Sequence, residues 1–283
     1  MFILNLKIIQ SKFILKAVAK KINIMKLKFI ITIFLAIILS EFSIANFYKK
    51  GDTLHVWATS GLNMREGPVT DFPKMKKLDY GDKVQVIDDY LRSTPLNITV
   101  IKKSQKSAAY VMKGHWVRVI IGSQEGYVFD GYLSRLPILK KRKTTNSHEI
   151  PFESFLTYAE REFGIEYFEY DSSEVKNFRS HHIYKNGFER KIANGSCYEY
   201  SLELTGLQSN EAYLIFNLMY GFEKNLKELK IEEYEFSNDP ENITAQIIKE
   251  ENQFYSFSFG SEFSSFGLLF QDGKFTIIDW ACC

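Results

Sequence analysis

The chain has 283 residues, 45% hydrophobic and 25% charged, with 24 Phe and 16 Tyr. That composition excludes a disordered chain, leaves room for two domains of ordinary size and favours sheet-rich cores, because flat aromatic side chains pack well on pleated surfaces. The formal charge of +2 is unevenly placed: seven Lys and one acid, Glu41, precede residue 46, and the remainder carries 29 basic and 33 acidic residues, a net −4. A body of that sign has no basic footprint for nucleic acid, which is excluded as a partner.

Residues 1–45 read as an upstream extension followed by a signal peptide. Lys26 and Lys28 precede the apolar run Phe29 to Leu39, and Ser43-Ile44-Ala45 supplies small residues at the cleavage positions. The run is shorter than the ~20 apolar residues that span a bilayer, so no spanning segment is expected after cleavage. Met25 fits as the start. The alternative is an uncleaved N-terminal anchor, lengthened by Ile8-Ile9 and Phe13-Ile14-Leu15. Export makes Cys197, Cys282 and Cys283 candidates for a disulfide. Neighbouring strand residues point to opposite faces, so Cys197 is expected to meet only one of the other two. Cys282 is preferred, because it shares a face with Trp280. The alternative is three small buried thiols.

Residues 52–137 read as short strands broken by glycine. Thr53 to Ala58 is the first. Ser60 to Pro68 follows, where Leu62 and Met64 alternate with Asn63 and Arg65. Val69 to Pro73 is an exposed loop, after which Met75 and Leu78 are expected to return to the core. Tyr80-Gly81-Asp82 is a turn, and Lys83 to Ile87 alternates cleanly. A long polar insertion covers roughly 90–113. His115 to Ile120 and Gly126 to Asp130 close the set around a turn at Gly122 to Glu125. Many short strands of this kind argue for a small barrel over a doubly wound sheet.

These residues resemble the bacterial SH3 domain (SH3b) family. The match rests on Gly61-Leu62-Asn63-Met64-Arg65-Glu66-Gly67-Pro68, on Leu78 with Gly81-Asp82-Lys83-Val84 and Val86, and on Trp116-Val117-Arg118-Val119 with Gly126 to Ser134. It covers about a third of the chain. One departure is the insertion around Thr94 to Lys113, longer than the family's usual loop. The resemblance implies a compact, mostly antiparallel barrel in an exported protein of the periplasm or cell exterior, attached to cell-wall glycan or peptide or to an envelope protein. Beside its loops such a barrel would offer Tyr80, Tyr127 and Tyr132 as flat apolar faces, with Asn63, Arg65 and Asp130 as polar partners. The competing reading has Arg65 and Asp130 paired on the surface and Trp116 as a core plug.

Residues 138–149 read as a basic linker, Lys140-Lys141-Arg142-Lys143 being either a solvated hinge or a contact for acidic polymers. Residues 150–283 read as an α+β domain of no recognised family. Its first helix spans Glu153 to Phe163 and stops at Gly164. Strands follow at Ile165–Tyr170, Ile183–Phe188 and Tyr198–Leu204. Ser209 then caps one main amphipathic helix in which Ile215, Leu218, Met219, Phe222 and Leu226 recur at helical spacing. Further strands are expected at Ile231–Phe236, Ile243–Ile248 and Tyr255–Phe259, and the last pair flanks Asp272-Gly273. The fold class is thus mainly β followed by α+β, with an SH3-like barrel and then an antiparallel sheet carrying one helix.

The search for chemistry finds little. Cys197 is the only mid-domain nucleophile, with His181 and His182 upstream of it; a thiol needs a base within reach and an orienting third group. His181 and His182, adjacent on a strand, cannot share a metal, and neither zinc spacing nor a phosphate-cradling glycine loop appears. No cofactor and no catalysis are expected. The leading expectation is an exported, non-enzymatic envelope protein. The alternatives are a cysteine hydrolase of wall peptides using Cys197 and a secreted factor aimed at another cell.

Overall fold

The computed structural model describes residues 48–88, 94–102, 109–144, 150–171, 178–193, 197–228, 244–249, 255–260, 264–271 and 273–281. The leader, Cys282, Cys283 and the strand expected at Ile231–Phe236 lie outside the described residues.

The N-terminal half builds one antiparallel sheet from β1 (Thr53–Val56), β2 (Leu62–Arg65), β3 (Lys74–Leu78), β4 (Lys83–Asp88), β6 (Tyr110–Ile121), β7 (Gln124–Phe129) and β8 (Leu133–Ser134), in the order β3-β2-β7-β6-β4-β1-β8. An eighth strand, β5 (Pro95–Ile101), pairs with the first half of β6. Alternation places the core as the sequence suggests: Leu62, Met64, Val84 and Val86 are buried, while Lys83 and Gln85 are exposed. Gly61 sits at φ +84°, and a Cβ there would lie 2.8 Å from the Leu78 carbonyl oxygen, so the chain enters β2 only without a side chain.

Two expectations for this half change. Met75 does not return to the core; it is 46% exposed. The register pairs Met64 with Lys76 but Arg65 with Lys74, which makes Met75 the extra residue of a β-bulge on the edge strand. The insertion is a hairpin arm, with Leu96, Ile98 and Val100 half-buried against β6. The polar tract Lys102 to Lys106 masks the β-branched alternation that precedes it.

The C-terminal half forms a second antiparallel sheet from β9 (Ile165–Tyr170), β10 (Phe178–Tyr184), β11 (Glu189–Ala193), β12 (Tyr198–Leu204), β13 (Thr244–Lys249), β14 (Tyr255–Gly260), β15 (Ser264–Gln271) and β16 (Lys274–Ala281). Their order is β13-β14-β15-β16-β12-β11-β10-β9. The first helix, α1 (Phe155–Glu162), is capped by Ser154, whose Oγ accepts the Thr157 N–H at 3.2 Å. Its Phe155 and Tyr158 pack with Tyr184 and Phe188.

The expected amphipathic helix is two helices, α2 (Ser209–Tyr220) and α3 (Phe222–Glu228), divided by Gly221 at φ +62°. Its N-cap is Gln208 rather than Ser209: Gln208 and Glu211 form a reciprocal capping box. Nor does α2 show the expected wet side, for Glu211 to Phe216 are all buried. A helix apolar all round is an interior one. Its Tyr213 ring lies 4.2 Å from that of Tyr110 on β6 and 5.0 Å from that of Phe257 on β14, so α2 joins the two sheets. Both belong to one compact unit, Phe47–Cys283.

A buried polar knot reinforces that joint. Ser134 Oγ on β8 donates to Glu211 Oε1 at 2.6 Å, and the Gln208 N–H donates to Glu211 Oε2 at 3.0 Å. Tyr48 OH donates to the Leu133 carbonyl at 2.5 Å and lies 3.4 Å from Glu211 Oε1. The basic segment between the halves is also held. Leu139 is buried, the Lys140 N–H donates to Glu153 Oε1 at 2.6 Å, Lys141 bridges to Phe152, and Arg142 Nε donates to the Ile150 carbonyl at 3.0 Å.

Candidate functional site

The six residues expected to bind ligand fall into separate places. Asn63 and Arg65 alternate with buried Leu62 and Met64, and Arg65 pairs directly with Tyr127 on β7, so these three share the outer face of β2 and β7. Arg65 is not paired with Asp130 there: its Nη1 donates to the Phe72 carbonyl at 2.6 Å, pinning the loop between β2 and β3. Tyr80 lies under the basic segment. Its OH donates to the Leu139 carbonyl at 2.9 Å, its ring meets Phe152 edge-on at 5.6 Å, and Lys141 Nζ sits 5.3 Å above it. Burial raises its pKa, helped by Glu153 and opposed by the Leu139 bond. Tyr132 faces α3, where burial and then the Glu223 charge raise its pKa. Trp116 is a core plug at 4% exposure.

Asp130 occupies a cleft. At the start of a short 3-10 turn, Asp130–Tyr132, its Oδ1 accepts the His115 N–H at 2.6 Å, and Oδ2 lies 3.9 Å from His115 Nδ1. Around it Pro95, Asn97, Lys113, His115 and Gln208 enclose about 260 Å³. Gly114 makes the approach possible, since a Cβ there would lie 2.3 Å from Asp130 Oδ1. The inserted hairpin therefore supplies one wall, and the residue before α2 supplies part of the other. The cleft offers a carboxylate, an imidazole, an ammonium and an amide, a set suited to hydroxyl and amide groups of a ligand. Apart from Asp130, sequence reasoning misses it, because its wall was taken for a polar loop.

A second cleft of about 300 Å³ opens between the second sheet, α1 and the end of α2. Its floor includes Tyr198 and Tyr200 of β12, Arg190 of β11 and Asp279 of β16, with Leu156 and Met219 alongside. Arg190 lies opposite Leu202, and Asp279 opposite Tyr200, so both charges occupy the core-facing parity of their strands. That is the signal sequence reasoning overlooked: Phe275 and Ile277 alternate onto the core, and Asp279 is next in the series. Tyr220 OH donates to Asp279 Oδ2 at 3.3 Å. Burial raises the Asp279 pKa and the Tyr220 hydrogen bond opposes the rise.

Cys197 is disulfide-bonded, so its sulfur is not a free thiolate. The expected partner, Cys282, lies outside the described residues. His181 and His182 point to opposite faces: His181 Nε2 lies 2.7 Å from Glu189 Oε1, and His182 is buried against Phe168. Among the described residues no group of three His, Cys, Asp or Glu side chains is arranged to hold a metal ion.

Burial lowers the pKa of His55, with Lys83 adding to it, and of His182, with Arg190 adding to it. Each imidazole takes up its proton more readily in the unfolded chain, so stability is present above the unfolded pKa of about 6.5 and is lost below it. The urea midpoint is expected to fall between pH 7.5 and pH 5.5, roughly the window around that pKa, and His182→Gln to flatten the fall. An unchanged slope in His182→Gln would count against this origin.

These features define a strand-built binding module without an assembled catalytic group among the described residues. Residues 60–134 match the bacterial SH3 domain family, a segment of the 283-residue chain running from just before β2 to the end of β8. No curated protein matches the chain, and no solved structure does. Among the described residues, no helix is long and apolar enough to cross a membrane.

Proposed function

We propose that this is an exported, non-enzymatic protein of the bacterial envelope whose SH3-like module curls into a small barrel and holds cell-wall material. The observation that carries the reading is the family match over residues 60–134, whose members serve as wall- or protein-binding modules. The Asp130 cleft supports it further, with hydrogen-bonding groups of both kinds beside a rigid sheet. The leader Lys26 to Ala45 supports export, and the disulfide at Cys197 suits an oxidising compartment.

The test is co-sedimentation of the full chain with purified peptidoglycan. Retention is expected, weakened by His115→Ala and Asn97→Ala at the cleft and unaffected by Lys76→Ala on the far edge strand. No retention on peptidoglycan, together with capture of a defined envelope protein, would transfer the module to a protein ligand. Turnover of wall peptides by the wild type would overturn the non-enzymatic reading.

A further inference from the structure

The second cleft carries charges with no opposite partner beside them. Arg190 lies 5.1 Å over the Tyr200 ring, and no carboxylate among the described residues is within ion-pair distance of it. Arg142, at the same cleft, is likewise without a carboxylate partner among the described residues; its printed contact is Nε to the Ile150 carbonyl at 3.0 Å. Glu153, the other acid of the lining, is already satisfied by Arg161 and the Lys140 N–H. Asp279 receives one long hydrogen bond, from Tyr220 at 3.3 Å. A half-buried charge left in this state is costly unless something brings its complement.

The positions of the two charges describe that complement. Arg190 and Asp279 stand two strands apart and two residues out of step, which separates their Cα atoms by roughly 12 Å from ordinary strand spacing and rise. Both side chains reach inward, so the gap between the charged groups is shorter, and a chain extending about 3.5 Å per residue crosses it in two or three residues. Guanidinium recognises a carboxylate bidentately, and a carboxylate accepts hydrogen bonds from an ammonium. Between them lie Tyr200, Leu156 and Met219, a floor for an apolar side chain, and Tyr198, 45% exposed, stands at the rim. We propose that this cleft binds a short zwitterionic peptide of two or three residues, its terminal carboxylate on Arg190 and its terminal ammonium on Asp279. The assignment is independent of the wall-binding reading, since none of these residues lies in the SH3-like segment.

The experiment is calorimetric titration of the full chain with Ala-Leu and Ala-Ala-Leu, each free, N-acetylated and C-amidated. Free peptides are expected to saturate, and either cap to weaken binding by ~10-fold or more. Arg190→Gln is expected to erase the penalty of amidation alone, and Asp279→Asn that of acetylation alone. No saturation by either free peptide up to ~10 mM, or equal binding of capped and free forms, overturns the proposal. Should either variant fail to show the wild-type thermal transition, the capped series on the wild type still decides.

Discussion

Phe216→Ala is expected to destabilise the protein by about 4 kcal/mol, within the range for emptying a buried phenylalanine site. The ring is fully buried in α2, with Tyr220, Phe222, Phe257 and Phe266 at centroid distances of 5.6, 5.2, 6.1 and 5.9 Å. Those partners come from α2 itself, α3, β14 and β15, so relaxation of one element cannot fill the space. Against a total stability of about 5–15 kcal/mol the loss is large. Urea unfolding followed by tryptophan fluorescence measures it, with Trp57 and Trp116 in the first half and Trp280 in the second. A shift under about 1.5 kcal/mol would mean that the site collapses. Two separated transitions in the wild type would mean that the halves do not unfold together.

Glu211→Ala is expected to cost about 3 kcal/mol, by a different route. The side chain is 5% exposed and accepts from Ser134 Oγ and the Gln208 N–H. Removing the carboxylate leaves a buried hydroxyl and a helix-start amide without their acceptor, and unmet buried groups cost about 1–3 kcal/mol each. The capping box opens as well. Glu211→Gln keeps the shape and one acceptor oxygen, so its loss should be roughly a third as large. The urea midpoints of the two variants give the comparison. Equal losses would assign the effect to charge alone, and the hydrogen-bond account would fail.

Where local pattern decides the outcome, the sequence reads well. Leu62 and Met64, Val84 and Val86, and the strands Ile165–Tyr170 and Tyr198–Leu204 stand where alternation puts them. Ser154 caps α1 as its side chain predicts, and Gly164 ends it at φ +70°. The misses arise where a distant segment decides. Met75 is displaced by a bulge that exists only in the pairing with β2. The periodic residues Ile215, Leu218 and Phe222 look like one face of one helix, whereas Gly221 ends α2 and a sheet packs on either side of it. The site was legible in part for the same reason. Asp130 could be singled out from its motif, but His115 and Gln208 meet it only through β6 and the turn before α2. Arg190 and Asp279 belong to strands nearly ninety residues apart, and nothing local announces that they share a cleft.

The Ser134–Glu211 hydrogen bond begins on the last residue of the family match and ends 77 residues further along the chain. Domains of this kind are commonly shuffled among proteins as interchangeable cassettes, which requires a clean seam. Here the seam is stitched through the interior, so transplanting the matched stretch alone would carry a severed polar contact and a bared flank into its new host. In this lineage the portable part has become a fixed component, inherited with its neighbour or not at all.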